Sequence, residues 1–233
     1  LTRTLSRVQP VLTPAQMRHV DQNSGVDVDV LIGRAAYAVA HAARLLMDGT
    51  YGRRVVVVAG KGNNGADGRV AAERLRQRGV RVFVHDAVWA PPAITDGHLV
   101  IDAAYGTGFR GVWEPPQVAN IPVLAVDIPS GIDASTGAVS GGVLPATRTV
   151  TFQAMKPGHL LAPGRWLCWW WAVGLQASKP LVLQPNVDTT SRWRKPGPNS
   201  AAPSASPDCS RAVRRSPNSS SGTRVNSNGS MCE

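Results

Sequence analysis

Three acids stand just beyond short apolar runs: Asp67 in AGKGNNGADGRVAA, Asp102 in VIDAAYGTGFRG and Asp127 in VLAVDIPSGID. Asn63, Asn64 and Ser130 lie beside them. One aspartate at a strand end is commonly a turn former. Three acids and two amides converging on one edge instead make an oxygen-lined site, where a carboxyl group can move protons. Asp102, the Asn64 side-chain oxygen, the Ser130 hydroxyl and nearby carbonyls are hard donors, suited to an alkali or alkaline-earth cation and not to zinc. Such a cation would also relieve repulsion among the acids.

The elements that must carry these residues are legible in the apolar pattern. Short runs at Arg54–Ala59, Val80–Val84, His98–Ile101, Ile121–Val126 and Thr149–Phe152 are too continuous for half-exposed strands and suit strands covered on both faces. An α/β fold with a mostly parallel sheet follows, with the three acids at its carboxyl edge. Thr13-Pro14 reads as a helix start, and apolar residues from Ile32 to Met47 recur at helical spacing. The connections 85–97 and 105–120 contain Pro91-Pro92 and Pro115-Pro116, and are expected to be loops or single turns.

Residues 53–79, RRVVVVAGKGNNGADGRVAAERLRQRG, also spell G-x-G-x-x-G through Gly60, Gly62 and Gly65, with Asp86 after the next run. That is the pattern of a dinucleotide pyrophosphate cradle, and an NAD-dependent dehydrogenase is one reading of it. Asp67, placed in the first turn of the following helix, argues otherwise, because its carboxylate would occupy the field that a phosphate needs. Taken alone, this loop leaves open that Asp67 only caps the helix and that the two Asn only tolerate turn geometry. The five His, at 19, 41, 85, 98 and 159, are scattered and expected to be structural or solvated. No G-x-S-x-G or H-E-x-x-H occurs, which removes the common hydrolase patterns.

Composition narrows the class further. Half of the formal net charge of +10 falls in residues 179–233, leaving an ordinary charge on the rest and little reason to expect nucleic acid. Cys168, Cys209 and Cys232 form no C-x-x-C, so neither zinc nor a disulfide framework is expected, and a reducing, cytoplasmic setting is. LTRTLSRVQPVLTP lacks the apolar run of a signal peptide, and WLCWWWAVGL at 166–175 is short of the roughly 20 residues of a span, so no membrane is expected. We divide the chain into a flexible start at 1–12, one domain at 13–175 and a disordered Ser/Pro/Arg-rich tail at 176–233.

With those residues in view, AGKGNNGADGRVAA, VIDAAYGTGFRG, AVDIPSGIDASTG and TVTFQAMKPGHLLAPG, and more loosely LTPAQMRHVD and VLIGRAAYAVA, resemble the YjeF N-terminal family of NAD(P)H-hydrate epimerases. The resemblance implies a Rossmann-like three-layer αβα fold and epimerisation at C6 of hydrated NADH or NADPH, in repair shared with a partner dehydratase. It implies substrate contacts at Asn63, Asn64, Gly65, Ala66 and Asp67, at Gly106, Thr107, Gly108, Phe109, Arg110, Gly111 and Val112, and at Asp127. It implies potassium held by Asn64, Asp102 and Ser130, and a homodimer. A catalytically idle binding module of the same family is the alternative, which the retained acids disfavour.

Epimerising a carbon that bears a hydroxyl next to a ring nitrogen needs transient C–O or C–N cleavage, and Asp127 is the candidate acid/base. Partial burial would have to raise its carboxyl above the ordinary range, near about 3.9, whereas a nearby cation would lower it and leave an orienting role. Lys156, in MKPG, is open to two readings: an electrostatic or phosphate-binding role, or a solvated loop lysine. Three features depart from the family. Ala66 stands where Gly is common, which would strain a positive φ. The Pro-containing crossovers are short. After Arg165 the composition changes abruptly, as a shifted reading frame would leave it.

Overall fold

The structure, a computed structural model, describes residues 10–167, 170–174 and 181–182. In chain order the elements are α1 (Pro14–Gln22), α2 (Val28–Met47), β1 (Arg54–Ala59), α3 (Asn63–Arg76), β2 (Arg81–Asp86), β3 (Ala93–Ile94), β4 (Leu99–Ala103), β5 (Gln117–Val118), β6 (Val123–Val126) and β7 (Arg148–Phe152). A 3₁₀ turn (Pro157–His159), α4 (Gly164–Leu167), β8 (Trp170–Gly174) and β9 (Leu181–Val182) follow. The sheet runs β2-β1-β4-β6-β7-β8-β9, parallel throughout except for the antiparallel β8–β9 pair at its edge. This is the expected α/β architecture with a mostly parallel sheet.

Strand order reverses between β1 and β4, since β2 lies to one side of β1 and the later strands of this sheet, β4 and β6 to β9, to the other. In such a sheet the loops leaving these two strands diverge and open a crevice at the carboxyl edge. On one face α2 and α3 cover the strands, through Ala36, Val39, Ala40, Ala43, Ala71, Ala72 and Leu75 against Val55, Val57, Leu99 and Ile101. Alanines at these positions let the two helices lie close to the sheet and to each other. α2 is long and apolar enough, by length and composition, to cross a membrane, but its apolar face is buried on this core.

The other face packs Val56, Val58, Val100 and Val123 against Ile94, Trp113 and Leu144. Its cover comes from the connection before β7, through Leu144, and from the two Pro-containing crossovers, which are more than loops: Ala93–Ile94 and Gln117–Val118 pair as a small parallel sheet. Two-residue strands carry no periodicity to read in advance. Thr13 caps α1 in a reciprocal capping box with Gln16, as the Thr-Pro start suggested. Pro10–Leu12, expected within a flexible start, lie against Met155 through a bridge at Val11 and hydrogen bonds from Leu12 and to Pro10. Of the stretch expected to be disordered, 176–233, all but Leu181–Val182 lies outside the described residues.

The glycine turn is built by close approach. A Cβ on Gly60 would collide with the Ala104 carbonyl, and one on Gly65 with the backbone of Gly60, whereas Gly62 has open space. Gly65→Ala is therefore expected to destabilise by about 1–3 kcal/mol, by forcing α3 off the end of β1. A urea midpoint unchanged from wild type would show that the helix start has room to shift.

Candidate functional site

The loops after β1, β4 and β6 meet at the carboxyl edge. Asp102 sits in register with Val58 on one side and Ala125 on the other, so the Asp127 position lies just beyond it on the neighbouring strand. The loop after β4 touches the loop after β1, because a Cβ on Gly106 would come within 3.2 Å of the Asn64 side chain. Ser130 ties the third loop to the second: its N–H and hydroxyl donate to the two Asp102 oxygens at 2.8 and 2.6 Å, and its Oγ accepts from the Tyr105 N–H at 2.8 Å. Asp102 is wholly buried. Burial pushes its carboxyl up to about 6, against the bonds from Ser130 and Ala104 that hold it down. Beside this group, both the Oδ1 and the Nδ2 of Asn64 are buried with no hydrogen-bond partner.

Asp67 is not where the sequence reading put it. α3 begins at Asn63 after an extended Gly62 with no side-chain cap, so Asp67 is its fifth residue and lies beyond the first turn. It therefore neither caps the helix nor sits in the strong part of its dipole, which fades within one turn. What acts on it is burial, with the Asp127 charge second, and together they push its carboxyl up to about 8. Ala66 lies inside the helix and is not among the positive-φ residues, so its methyl group causes no backbone strain.

Asp127 is set apart by its backbone and its partner. Its φ is +67°, and the Ile128 N–H donates back to the Val126 carbonyl at 2.9 Å, closing a γ-turn of the rare positive-φ kind. The same device recurs on the next strand, with Gln153 at +59° and an Ala154 N–H to Phe152 carbonyl bond of 2.6 Å. Strained turns of this type persist where the surroundings over-determine them. Here those surroundings are Lys156 and His159.

Lys156 is no solvated loop residue: its side chain is 2% exposed, and its Nζ lies 2.5 Å from Asp127 Oδ1 and 2.8 Å from Thr151 Oγ1. His159, also buried, accepts the Lys156 N–H at Nδ1, so Nε2 carries the proton that it donates to the Asp127 carbonyl at 2.9 Å. Burial, reinforced by the Lys156 charge, lowers its imidazole to about 4, so it is neutral and structural.

Of the two directions left open for Asp127, the structure favours the lowered one. Burial would raise it, but the Lys156 charge and hydrogen bond, with His159 and Thr151, more than offset that and hold it below the usual range. Sequence reasoning missed Asp21 altogether. At the end of α1 it accepts from Gln153 Nε2 at 2.7 Å, and its carboxyl is raised by burial, lowered by Lys156 and raised again by Asp127. The only signal was the looser match of LTPAQMRHVD.

In the loop after β4, Phe109 packs on Tyr105 with ring centroids 4.2 Å apart, while Val112 is exposed. Gly106 thus lies at the crevice beside Asn64, while Gly108, Arg110, Gly111 and Val112 are exposed. The residues of the dehydrogenase reading are otherwise engaged. Arg69 donates to the Ala59 and Gly60 carbonyls and stands 3.6 Å from Asp86, which accepts the Val88 N–H. Among the described residues no three His, Cys, Asp or Glu converge as a transition-metal site would require.

The model of a family described as YjeF-related protein N-terminus matches residues 28–98 and 86–158, together more than half of the chain. A bifunctional NAD(P)H-hydrate repair enzyme Nnr of Mycobacterium tuberculosis is 39% identical over 183 residues, 64% of this chain and 37% of the relative. An NAD(P)H-hydrate epimerase of Limosilactobacillus fermentum is 34% identical over 193 residues, 67% of this chain and 92% of that protein. The chain thus spans little more than a third of the bifunctional relative but nearly all of the shorter one. The crystal structure of yeast ynu0 superposes with a TM-score of 0.51 over 71% of this chain and 88% of that one, at 21% identity, a likeness of fold alone.

Proposed function

The chain belongs to the YjeF-related N-terminal family, and from that membership we propose that it is an isomerase that epimerises hydrated NADH and NADPH at C6 of the nicotinamide ring. It would interconvert the R and S forms, so that a dehydratase acting on one of them can return both to use. The substrate ring would lie in the crevice between the loops after β1 and β4, against Asn63 through Asp67 and Gly106 through Val112. C6 carries a hydroxyl and the ring nitrogen N1, so inverting it requires that the centre open and close again. A base must take the hydroxyl proton and return it.

The observation that carries this reading is the Asp127 carboxylate, held ionised at the crevice by a buried lysine. A carboxylate fixed in that way is unprotonated at neutral pH, so it is placed to accept the hydroxyl proton or, as the weaker base that Lys156 makes it, to orient the ring, and its strained turn is the mark of a position kept for its aim. Potassium is part of the same proposal. The unpaired buried Asn64 amide oxygen, the buried Asp102 carboxylate and the Ser130 hydroxyl are the hard-oxygen donor set that fits it, and no cation among the described residues is paired with Asp102. Asn64, Asp102 and Ser130 would hold the ion, which would supply charge compensation where burial now raises the Asp102 carboxyl.

The test is a coupled assay in which the purified chain is added to mixed R and S hydrates with a dehydratase specific for the S form. The R form is expected to disappear at a rate proportional to the amount of chain added. Consumption no faster than spontaneous epimerisation would leave the catalytically idle binding module as the better reading.

A further inference from the structure

The proposed reaction moves two protons at once, and Asp127 accounts for one. When the hydroxyl at C6 loses its proton and the C6–N1 bond breaks, N1 must gain one, so a group that is protonated at rest has to stand at the same crevice. We infer that Asp67 is that group: the proton donor to N1, paired with Asp127 as the proton acceptor. The assignment rests on the epimerase reading.

The geometry supports it. Asp67 is 7% exposed on α3, three residues after Asn64 and next to Gly68, where an added Cβ would collide with Ala103 at the end of β4, so its backbone is held against the strand ends of this edge, and the Asp127 charge is felt at its carboxyl. Among the described residues its carboxyl has neither a hydrogen-bond donor nor an ion pair, whereas every other acid at this edge is engaged. Asp86 stands by Arg69, Asp102 accepts from Ser130, Asp21 accepts from Gln153, and Lys156 lies against Asp127. A buried carboxyl with no donor and a carboxylate nearby keeps its proton. Burial and Asp127 push Asp67 up to about 8 while Lys156 holds Asp127 low. Two like groups driven apart by their surroundings are the arrangement that divides acid from base.

The step balances without a co-reactant. Asp127 takes the hydroxyl proton, the O–H electron pair becomes the second bond of C6=O, and the C6–N1 pair passes to N1, which takes the Asp67 proton. The aldehyde turns about C5–C6. On closure N1 returns its proton to Asp67, its electron pair attacks the other face of C6, and the oxygen recovers its proton from Asp127. Each acid ends in the state in which it began.

Asp67→Asn tests this, because the amide matches the neutral acid in shape and cannot give up a proton to N1. The variant is expected to lose at least about 100-fold in kcat, with KM changed less than about threefold. Independently of activity, the infrared difference between wild type and Asp67→Asn at neutral pH should show the carbonyl band of a protonated carboxyl. Wild type without epimerase activity removes the epimerase reading and this assignment with it. An active wild type whose variant keeps kcat within about tenfold, or whose difference spectrum shows carboxylate bands instead, overturns the assignment and leaves the epimerase reading standing.

Discussion

Replacing Lys156 by methionine is expected to destabilise the protein by about 3–5 kcal/mol at pH 7, because it leaves the Asp127 carboxylate buried without its charge partner. The ammonium also satisfies Thr151 Oγ1 at 2.8 Å, so the loss extends beyond one contact. The sign with pH distinguishes this cause from simple misfit. In wild type the Asp127 carboxyl lies below its ordinary range, so its contribution is present above pH 3.8 and is lost as pH falls through the lowered value. In Lys156→Met burial acts unopposed and raises Asp127, so the variant suffers most at pH 7, less at pH 4.5 where its own carboxyl is protonated, and converges on wild type only below the lowered Asp127 value. Adding Asp127→Asn to Lys156→Met should restore most of the stability, since two neutral groups replace a broken pair. Urea unfolding of the single and double variants at pH 4.5 and 7 checks this. A single-variant loss below about 1 kcal/mol, or no recovery in the double variant, would mean that the pair contributes little.

The same pair marks the limit of what the letters disclosed. Asp67, Asp102 and Asp127 were legible as a group because each follows a continuous apolar run, and parallel strands bring such ends to one edge whatever the loops do. Lys156, Thr151 and Asp21 were not. Lys156 reaches Asp127 across 29 residues of chain, and Asp21 comes in from a helix that precedes the sheet. No spacing rule connects them, and a lysine in MKPG looks the same whether buried or solvated.

The direction of the Asp127 shift stayed open for the same reason, since it depends on which of burial and a partner charge prevails, and Lys156 decides it. Asp67 lies one position past the first turn where it was expected, and what governs it is burial, which raises its carboxyl well beyond what a helix dipole of about 0.3–1 kcal/mol could offset. Gly60 and Gly65 fit a pyrophosphate cradle by spacing alone, a reading Asp67 argued against, and the space beside them is filled by the chain's own backbone.

Asp67→Asn, the variant expected to be slow, is also expected to be more stable than wild type at pH 7. With its carboxyl at about 8 in the fold and 3.8 as the ordinary value, the native state keeps a proton that the unfolded chain releases. A native state that binds more protons loses stability as pH rises, here between about pH 4 and 8, at up to about 1.4 kcal/mol per unit. Asparagine has no such proton, so its stability should hardly vary through this source. The advantage of the variant should be near zero at pH 4, grow through pH 5 and 6, and reach on the order of 2–4 kcal/mol at pH 7. Asp102 also carries a raised carboxyl, but it is present in both proteins and cancels in the difference.

This slope is opposite in sign to that of the Asp127–Lys156 pair, so the two acids can be separated in one set of urea titrations. A variant less stable than wild type at pH 7, with a gap that does not depend on pH, would show that Asp67 is ionised in the fold. A gain that appears along the expected slope would mean that the crevice keeps an unpaired acid at a cost in stability, which is the pattern of a residue held for turnover and not for folding.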